Sequence, residues 1–191
     1  MTRMPTLETE RLIIRPFTPD DLDDIHRILD LELGEADFGA EGAKAHGERR
    51  EWLQWTVLGY EQLARLYQPP YGDRAIVRRD TRELIGACGY VPCLDVFGQL
   101  ASDRAARFAS TEFGLFWAIS PAHQRRGYAT EAARALIDYA FKQLHLGRIV
   151  ATTSYDNAAS VGVMRKLGMR IEQNPFPDPP WLQIVGILEV V

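Results

Sequence analysis

One short segment in the second half of the chain combines basic residues with a glycine at a predicted helix start. The backbone N–H groups of a first helical turn have no intrahelical partner and lie at the positive end of the helix dipole, so they favour a bound phosphate. Gly127 would let the backbone approach an anion closely, and the arginines beside it add positive charge. An ordinary helix start with solvated arginines explains the same residues, and this alternative stays open here. The segment is Gln124, Arg125, Arg126, Gly127, Tyr128, Ala129 and Thr130.

Strands and helices alternate around this segment in an order that predicts an α/β fold. Strands are predicted over 112–119 and 147–153, and the long helix between them has one apolar face. A helix that joins two strands in this way favours a right-handed parallel crossover. The other predicted elements are a short helix over 157–167, strands over 11–17, 169–173 and 182–190, a helix from 18 and another over 48–67, and a hairpin of 74–79 with 84–91.

Length and composition limit the kinds of protein that this chain could be. A length of 191 residues favours one domain spanning 1–191. The net charge of -4 argues against a nucleic-acid-binding protein, because such proteins usually present a basic surface. Cys88 and Cys93 match no zinc-binding spacing and the four histidines are scattered, so no metal is expected. No apolar run could span a membrane and no signal peptide is evident, which together predict a cytoplasmic protein.

Several side chains outside the basic segment are assigned structural roles. His123 precedes the segment and is interpreted as a solvated loop histidine. Cys88 is interpreted as a packed strand residue, since no histidine at a suitable spacing could activate it. Aromatic residues at helical spacing are more often core than pocket lining, so core is favoured for those near the second helix. These are Trp52, Trp55, Tyr60 and Tyr67.

Three blocks of sequence resemble the GNAT superfamily of acetyltransferases. The basic segment resembles the family motif Gln/Arg-x-x-Gly-x-Gly/Ala. The residues from Asn157 to Met169 resemble the family segment Asn-x-x-Ser followed by Lys-Leu-Gly-Phe, with Met169 in place of phenylalanine. The residues from Thr9 to Pro16 resemble the opening of the subgroup that includes ribosomal-protein alanine/serine N-terminal acetyltransferases. The blocks occur in the family's order and extend over nearly the whole chain.

The resemblance implies a fold and a cosubstrate. The fold is the GNAT acyl-CoA N-acyltransferase fold, an α/β domain with a mixed central sheet of about seven strands, flanking helices and a splayed pair of parallel strands. The cosubstrate is acetyl-CoA, whose pyrophosphate would bind the backbone of the basic segment. Its pantetheine arm would pair with the backbone near Trp117, Ala118 and Ile119. Asn157 and Ser160 would also contact coenzyme A.

The resemblance also suggests which residues assist acetyl transfer to an amine. Glu112 is the expected base, acting directly or through a water, because the amine must lose a proton. Ser160 is the expected acid for the departing thiolate, with Tyr155 as a weaker candidate. Each residue also has a plain structural explanation: an exposed carboxylate at a strand start for Glu112, a first-turn serine for Ser160, and a helix cap for Asn157.

An acetyl-CoA-dependent N-acetyltransferase is therefore the expected function, with a primary amine as the acceptor. The amine could belong to a protein N-terminus, an aminoglycoside, a polyamine or a metabolite similar to an amino acid. A non-catalytic domain that binds or senses acetyl-CoA is the alternative, and an unrelated α/β binding protein is a third. Acceptor contacts are expected from 34–47, from the second helix and from 95–110. No nucleic-acid or membrane partner is expected, and a homodimer is left open.

Overall fold

A computed structural model of the chain describes residues 4–34, 44–94 and 111–190. Most of 34–47 and all of 95–110, where acceptor contacts are expected, lie outside the described residues. The described strands are β1 (Leu7–Glu8), β2 (Leu12–Pro16), β3 (Gly72–Arg78), β4 (Leu84–Leu94), β5 (Thr111–Ile119), β6 (Arg148–Thr153), β7 (Arg170–Gln173) and β8 (Ile184–Glu189). The described helices are α1 (Leu22–His26), which a π-helical turn over Arg27–Glu32 extends, α2 (His46–Arg65), α3 (Tyr128–Lys142) and α4 (Ala158–Lys166).

The described strands form a mixed sheet in the order β1-β2-β3-β4-β5-β6-β8-β7. Antiparallel pairs join β1 to β2, β2 to β3, β3 to β4, β6 to β8 and β7 to β8. β5 and β6 are parallel, which confirms the parallel crossover predicted from the helix between them. The sheet therefore has the mixed character that the family resemblance implied. The two-residue strand β1, which the sequence pattern did not predict, brings the number of described strands to eight.

The chain divides into two compact units, and the division passes through β4, β5 and α3. The first unit consists of Met1–Tyr90 with Trp117–Ala135. The second consists of Val91–Phe116 with Leu136–Val191. β4, β5 and α3 each continue from one unit into the other, so each unit contains chain segments from both halves of the sequence. That residues 1–191 form a single domain stays a prediction.

The first unit has a core built from β2, β3 and the first helical segment. Leu12 and Ile14 are both fully buried, as expected for alternate residues of a strand with one face against the core. Ile25 of α1 and Ile28 of the π-helical turn are also fully buried. Full burial of such a side chain stabilises the fold by about 1.5–3 kcal/mol. This core positions the end of β2 and the start of α1 beside one another.

The second unit has a core formed by β6, β8 and the apolar faces of its helices. Leu136, Ile137 and Ala140 of α3 are buried, which confirms the apolar face predicted for that part of the helix. α4 buries Val161 and Met164. α4 ends before Gly168, whose φ of 82° is the left-handed conformation that glycine often adopts after a helix.

Candidate active site

The predicted phosphate segment forms an exposed turn that leads into α3. Arg125 and Gly127 have positive φ angles of 61° and 85°, and such alternation turns successive N–H groups toward one concave side that attracts anions. The first hydrogen bond into α3 runs from Glu131 N to Gly127 O at 3.0 Å. Within the described chain, the N–H groups of Gly127 to Thr130 donate to no acceptor. These four donors are therefore available to a bound anion.

Gln124 connects this turn to the end of β5. Its side-chain Nε2 donates a hydrogen bond of 3.0 Å to the carbonyl oxygen of Ile119. Arg125 and Arg126 follow with exposed side chains. Gln124 thus links the end of β5 to the turn. The side chains of Arg125 and Arg126 place positive charge in solvent beside the free N–H groups.

The last three residues of β5 are the stretch expected to pair with pantetheine. Trp117 is half-buried, whereas Ala118 and Ile119 are buried. A Cβ atom on Gly86 of β4 would lie 2.1 Å from the Ala118 carbonyl oxygen, so only glycine fits there. β4 therefore packs closely against this end of β5 on one side.

The parallel pairing of β5 with β6 is short. In the described residues one register pair, Gly114 with Val150, joins the two strands. Between β6 and β8, six register pairs extend from Arg148 to Thr153. Much of the backbone of β5 that faces β6 therefore lies outside this ladder.

Asn157 and Ser160 meet at the start of α4. Asn157 Oδ1 accepts a hydrogen bond of 3.0 Å from the backbone N–H of Ser160, so Asn157 caps the helix. Ser160 is half-buried, and its hydroxyl has no partner among the described residues. The cap accounts for one first-turn N–H group and leaves the serine hydroxyl for another role.

Glu112 is buried and paired, so the interpretation as an exposed carboxylate is wrong. The residue is 4% exposed. Both carboxylate oxygens accept hydrogen bonds from Arg148, with Nε to Oε2 at 2.8 Å. The hydrogen bonds that Arg148 donates to Glu112 raise the pKa of Arg148 above its ordinary value. The pair links the starts of β5 and β6, and Arg148 already donates to both oxygens that could accept a proton.

Tyr155 has its hydroxyl bound to the protein backbone. The hydroxyl donates a hydrogen bond to the carbonyl oxygen of Asn174. The backbone N–H of Tyr155 donates to Gln183 Oε1 at 2.8 Å. A phenol whose proton points at a carbonyl is poorly placed to protonate a thiolate, so the geometry favours Ser160 over Tyr155 for that step.

The predicted site residues fall into two sets, one in each unit. The first unit contains the β5 residues Trp117, Ala118 and Ile119 together with the turn over 124–130. The second unit contains Glu112, Tyr155, Asn157 and Ser160. Most of the expected cofactor-binding residues thus belong to one unit and the expected proton-transfer residues to the other.

The prediction of a solvated His123 is wrong. The residue is 8% exposed, and its Nε2 lies 3.0 Å from Glu83 Oε1. Its ring packs near that of Tyr128, with ring centroids 6.4 Å apart. His123 is therefore part of the packing beneath the phosphate turn.

The aromatic residues of α2 and its C-terminal extension divide between core and surface. Tyr60 is buried, accepts a hydrogen bond of 3.0 Å from Phe17 N and donates to the carbonyl oxygen of Asp73. Trp55 and Tyr67 are 71% and 76% exposed, so the core assignment is wrong for them. The half-buried Trp52 packs edge-on against Phe17. Cys88 is fully buried, and burial raises the pKa of its thiol, as expected for a packed strand residue.

Asp73 of β3 is a titratable group that sequence reasoning did not single out. Burial among protein atoms raises the pKa of its carboxyl group to about 7, although the charge of Arg49 acts in the opposite direction. Arg49 itself is buried against Asp30, with hydrogen bonds of 2.7 Å to both carboxylate oxygens. These properties arise from the packing of α2 beside β3, and no motif around Asp73 could have indicated them.

Two classes of feature do not occur in the part of the chain that the structure describes. No group of three or more histidine, cysteine, aspartate or glutamate side chains is placed to hold a metal ion there. None of the described helices is both long enough and apolar enough to cross a lipid bilayer.

Several known proteins with similar sequences are named acetyltransferases. Residues 11–170 match the family described as acetyltransferase (GNAT) domain. The uncharacterised N-acetyltransferase YoaA of Bacillus subtilis is 31% identical over 169 residues, which cover 88% of this chain and 84% of that protein. The spermidine N(1)-acetyltransferase of Escherichia coli K12 is 37% identical over 128 residues, which cover 64% of this chain and 61% of that protein.

A solved structure shares the fold. The ribosomal-protein-S5-alanine acetyltransferase of Vibrio fischeri superposes with a TM-score of 0.68 at 16% identity, over 96% of each chain. The turn before α3, the parallel pair of β5 and β6, and the family match over 11–170 agree with one another. The chain therefore belongs to the GNAT family of acetyltransferases.

Proposed function

We propose that this GNAT acetyltransferase binds acetyl-CoA at the start of α3 and passes the acetyl group directly to a primary amine. The observation that carries the proposal is the turn over 125–127, with four N–H groups that have no described acceptor. Pyrophosphate oxygens would accept hydrogen bonds from these groups at the positive end of the helix dipole. The exposed side chains of Arg125 and Arg126 would add attraction for the same anion.

The pantetheine arm is proposed to lie along the last residues of β5. The short ladder between β5 and β6 supports this, because pantetheine amides need backbone partners that no neighbouring strand occupies. A splayed pair would provide them near Trp117, Ala118 and Ile119. A backbone N–H in this stretch would then donate to the thioester carbonyl oxygen, where negative charge develops during attack.

The reaction requires a C–N bond to form and a C–S bond to break, while the nitrogen loses two protons and the sulfur gains one. The amine nitrogen attacks the carbonyl carbon of the thioester, and the C–S bond breaks as the tetrahedral intermediate collapses. The ammonium proton is proposed to pass to Glu112 through a water that replaces one N–H donor of Arg148. The leaving thiolate is proposed to take a proton from Ser160, whose hydroxyl has no described partner. Ser160 would regain a proton from the nitrogen of the tetrahedral intermediate, which must lose its second proton to become the neutral amide.

The acceptor is proposed to be a primary amine on a protein N-terminus or on a small molecule. Two similar proteins support one class each, since one is named for spermidine and the other for an alanine of a ribosomal protein. The net charge of -4 is compatible with a cationic acceptor. A domain that only senses acetyl-CoA is not favoured, because the family and its named members are transferases.

A panel of amines tests this proposal. Acetyl-CoA and enzyme would be mixed with spermidine, peptides beginning with alanine or serine, an aminoglycoside and free amino acids. Thiol release and the mass of the acetylated product would both be measured. We expect thiol release that depends on one amine class and matches the amount of product. Tight binding of acetyl-CoA without turnover of any amine would favour the sensing alternative instead.

Location and assembly are proposals that rest on the sequence. The protein is proposed to act in the cytoplasm. A homodimer remains open, and light scattering of the purified protein would distinguish it from a monomer.

A further inference from the structure

A carboxylate stands close to the anion-binding turn. Glu131 lies in the first turn of α3, one residue after the last of the four free N–H groups. A carboxylate there is favourable to the helix dipole, but it competes with a phosphate for the same positive end. Like charges also repel, so an unneutralised Glu131 would weaken the binding of pyrophosphate.

The N-terminal segment encloses this carboxylate. Thr9 Oγ1 donates to Glu131 Oε1 at 2.6 Å, and the backbone N–H of Arg11 donates to the same oxygen at 2.9 Å. Arg11 Nε donates to the other oxygen, Oε2, at 2.7 Å. Partial burial acts in the opposite direction, yet these hydrogen bonds and the Arg11 charge lower the pKa of Glu131 below its ordinary value. Glu131 is thus held ionised and its charge is neutralised from the N-terminal side.

Arg11 contacts the turn itself as well. Its Nη1 donates to the carbonyl oxygen of Arg126 at 3.0 Å. Its guanidinium lies over the ring of Tyr128, 4.6 Å from the centroid. A Cβ atom on Gly127 would lie 3.4 Å from Arg11 Nη2. One side chain therefore contacts the turn and the first residues of α3, at positions separated from it by more than a hundred residues in sequence.

We propose that Arg11 is a positioning residue for acetyl-CoA, which holds the turn over 125–127 in its anion-binding shape and neutralises Glu131. Thr9 assists by holding the same carboxylate. This inference rests on the proposed binding of pyrophosphate at the start of α3. Thr9 and Arg11 belong to the block that resembles the opening of one GNAT subgroup. The proposal gives these two residues a physical role.

A double-mutant cycle with two cosubstrates tests the proposal. Arg11→Met, Glu131→Gln and the double variant would be assayed with acetyl-CoA and with S-acetylpantetheine, which has no pyrophosphate. We expect Arg11→Met to raise KM for acetyl-CoA about tenfold, with kcat within about twofold. Glu131→Gln should recover part of that loss in the double variant, because the repelling charge is gone. KM for S-acetylpantetheine should stay within about twofold of the wild-type value in every variant.

Arg79→Met is a matched control. Arg79 Nη1 donates to the backbone carbonyl oxygen of Thr9 at 2.7 Å, so this variant removes an arginine contact with the same segment that involves neither Glu131 nor the turn. We expect its KM for acetyl-CoA to remain at the wild-type value. Arg11→Lys is the second variant if Arg11→Met does not fold, since a lysine keeps the charge but cannot contact Glu131 and the Arg126 carbonyl together.

Two results would overturn the proposal. One is an unchanged KM for acetyl-CoA in folded Arg11→Met and Arg11→Lys. The other is an equal loss with acetyl-CoA and S-acetylpantetheine, which would indicate a general structural defect. Failure of the wild-type protein to prefer acetyl-CoA over S-acetylpantetheine would instead count against pyrophosphate binding itself, so the two failures are distinguishable.

Discussion

The proposed cofactor side and the proposed catalytic side differ in how far their polar groups are already bonded within the protein. In the first unit, the N–H groups of Gly127 to Thr130 have no described acceptor. In the second unit, Arg148 holds Glu112, Asn157 accepts from Ser160 N, and the Tyr155 hydroxyl donates to a backbone carbonyl. An anion site made of backbone dipoles can thus be complete before its ligand arrives. Of the proposed proton-transfer groups, by contrast, Glu112 is already paired with Arg148, whereas the Ser160 hydroxyl has no described partner.

The largest effect is expected at Glu112, the paired carboxylate on the proposed catalytic side. Glu112→Gln keeps the size of the side chain and removes its basicity, and general-base catalysis contributes about 10²–10⁴-fold. We expect kcat to fall by about a hundredfold near neutral pH and by less at high pH, where free amine is abundant. KM for acetyl-CoA should not change. Superimposable pH–rate profiles of the wild type and Glu112→Gln would show that the pair with Arg148 only joins β5 to β6.

A smaller effect is expected at Ser160. Ser160→Ala should lower kcat about tenfold and leave KM for acetyl-CoA unchanged, since the lost interaction forms only as the thiolate leaves. Ser154→Ala is the matched control, because the Ser154 hydroxyl donates to Asp156 Oδ1 at 2.6 Å and no role in the reaction is proposed for it. Equal kcat values for both variants would exclude Ser160 as the proton donor.

Variants of Asn157 distinguish its role as a helix cap from its proposed contact with coenzyme A. Asn157→Ala should reduce the free energy of unfolding by about 1 kcal/mol through loss of the cap, and should also raise KM for acetyl-CoA. Asn157→Asp keeps a capping oxygen but adds a negative charge, so we expect it to restore the unfolding free energy and not the KM. Thermal melts and initial rates would measure both. Recovery of KM together with stability would mean that Asn157 acts only as a cap.

The smallest effect on the reaction is expected at Asp73, where the readout is stability. Burial raises the pKa of its carboxyl group from the ordinary value of 3.8 to about 7, so the folded state binds this proton more tightly than the unfolded state. Stability is therefore lost as pH rises from 3.8 to about 7. Asp73→Asn should melt higher than the wild type at pH 8, with a smaller difference at pH 5. An equal difference in melting temperature at pH 5 and at pH 8 would contradict the raised pKa of Asp73. Turnover should be unchanged in this variant.

The elements of the fold were largely predictable because their signals are local. The apolar period of α3, the glycine after α4 and the polar turn between β3 and β4 each depend on residues near in sequence. The turn before α3 was predictable for the same reason, since Gly127 and the two arginines lie within three positions of one another. Among the described strands, the two-residue β1 gave no local signal, because pairing with β2 defines it.

The surroundings of the site residues were not predictable, because they depend on contacts between distant segments. The pairing of Glu112 with Arg148 depends on the parallel register of β5 and β6, which no sequence pattern specifies. The contact of His123 with Glu83 joins residues that are 40 positions apart in the sequence. Arg11 lies 120 residues before Glu131 in the sequence, and only the fold brings the two side chains together. Local pattern therefore predicts which residues form the site, whereas packing decides what each residue can do.

The central claim is that acetyl-CoA binds through its pyrophosphate at the start of α3, and a pair of glycine variants tests it most directly. Gly127 and Gly168 have nearly equal positive φ angles of 85° and 82°, so Gly127→Ala and Gly168→Ala introduce the same backbone strain at two places. Calorimetric titration with acetyl-CoA should give a Kd about tenfold higher for Gly127→Ala and within about twofold of the wild type for Gly168→Ala. Equal, wild-type affinity in both folded variants would contradict the account.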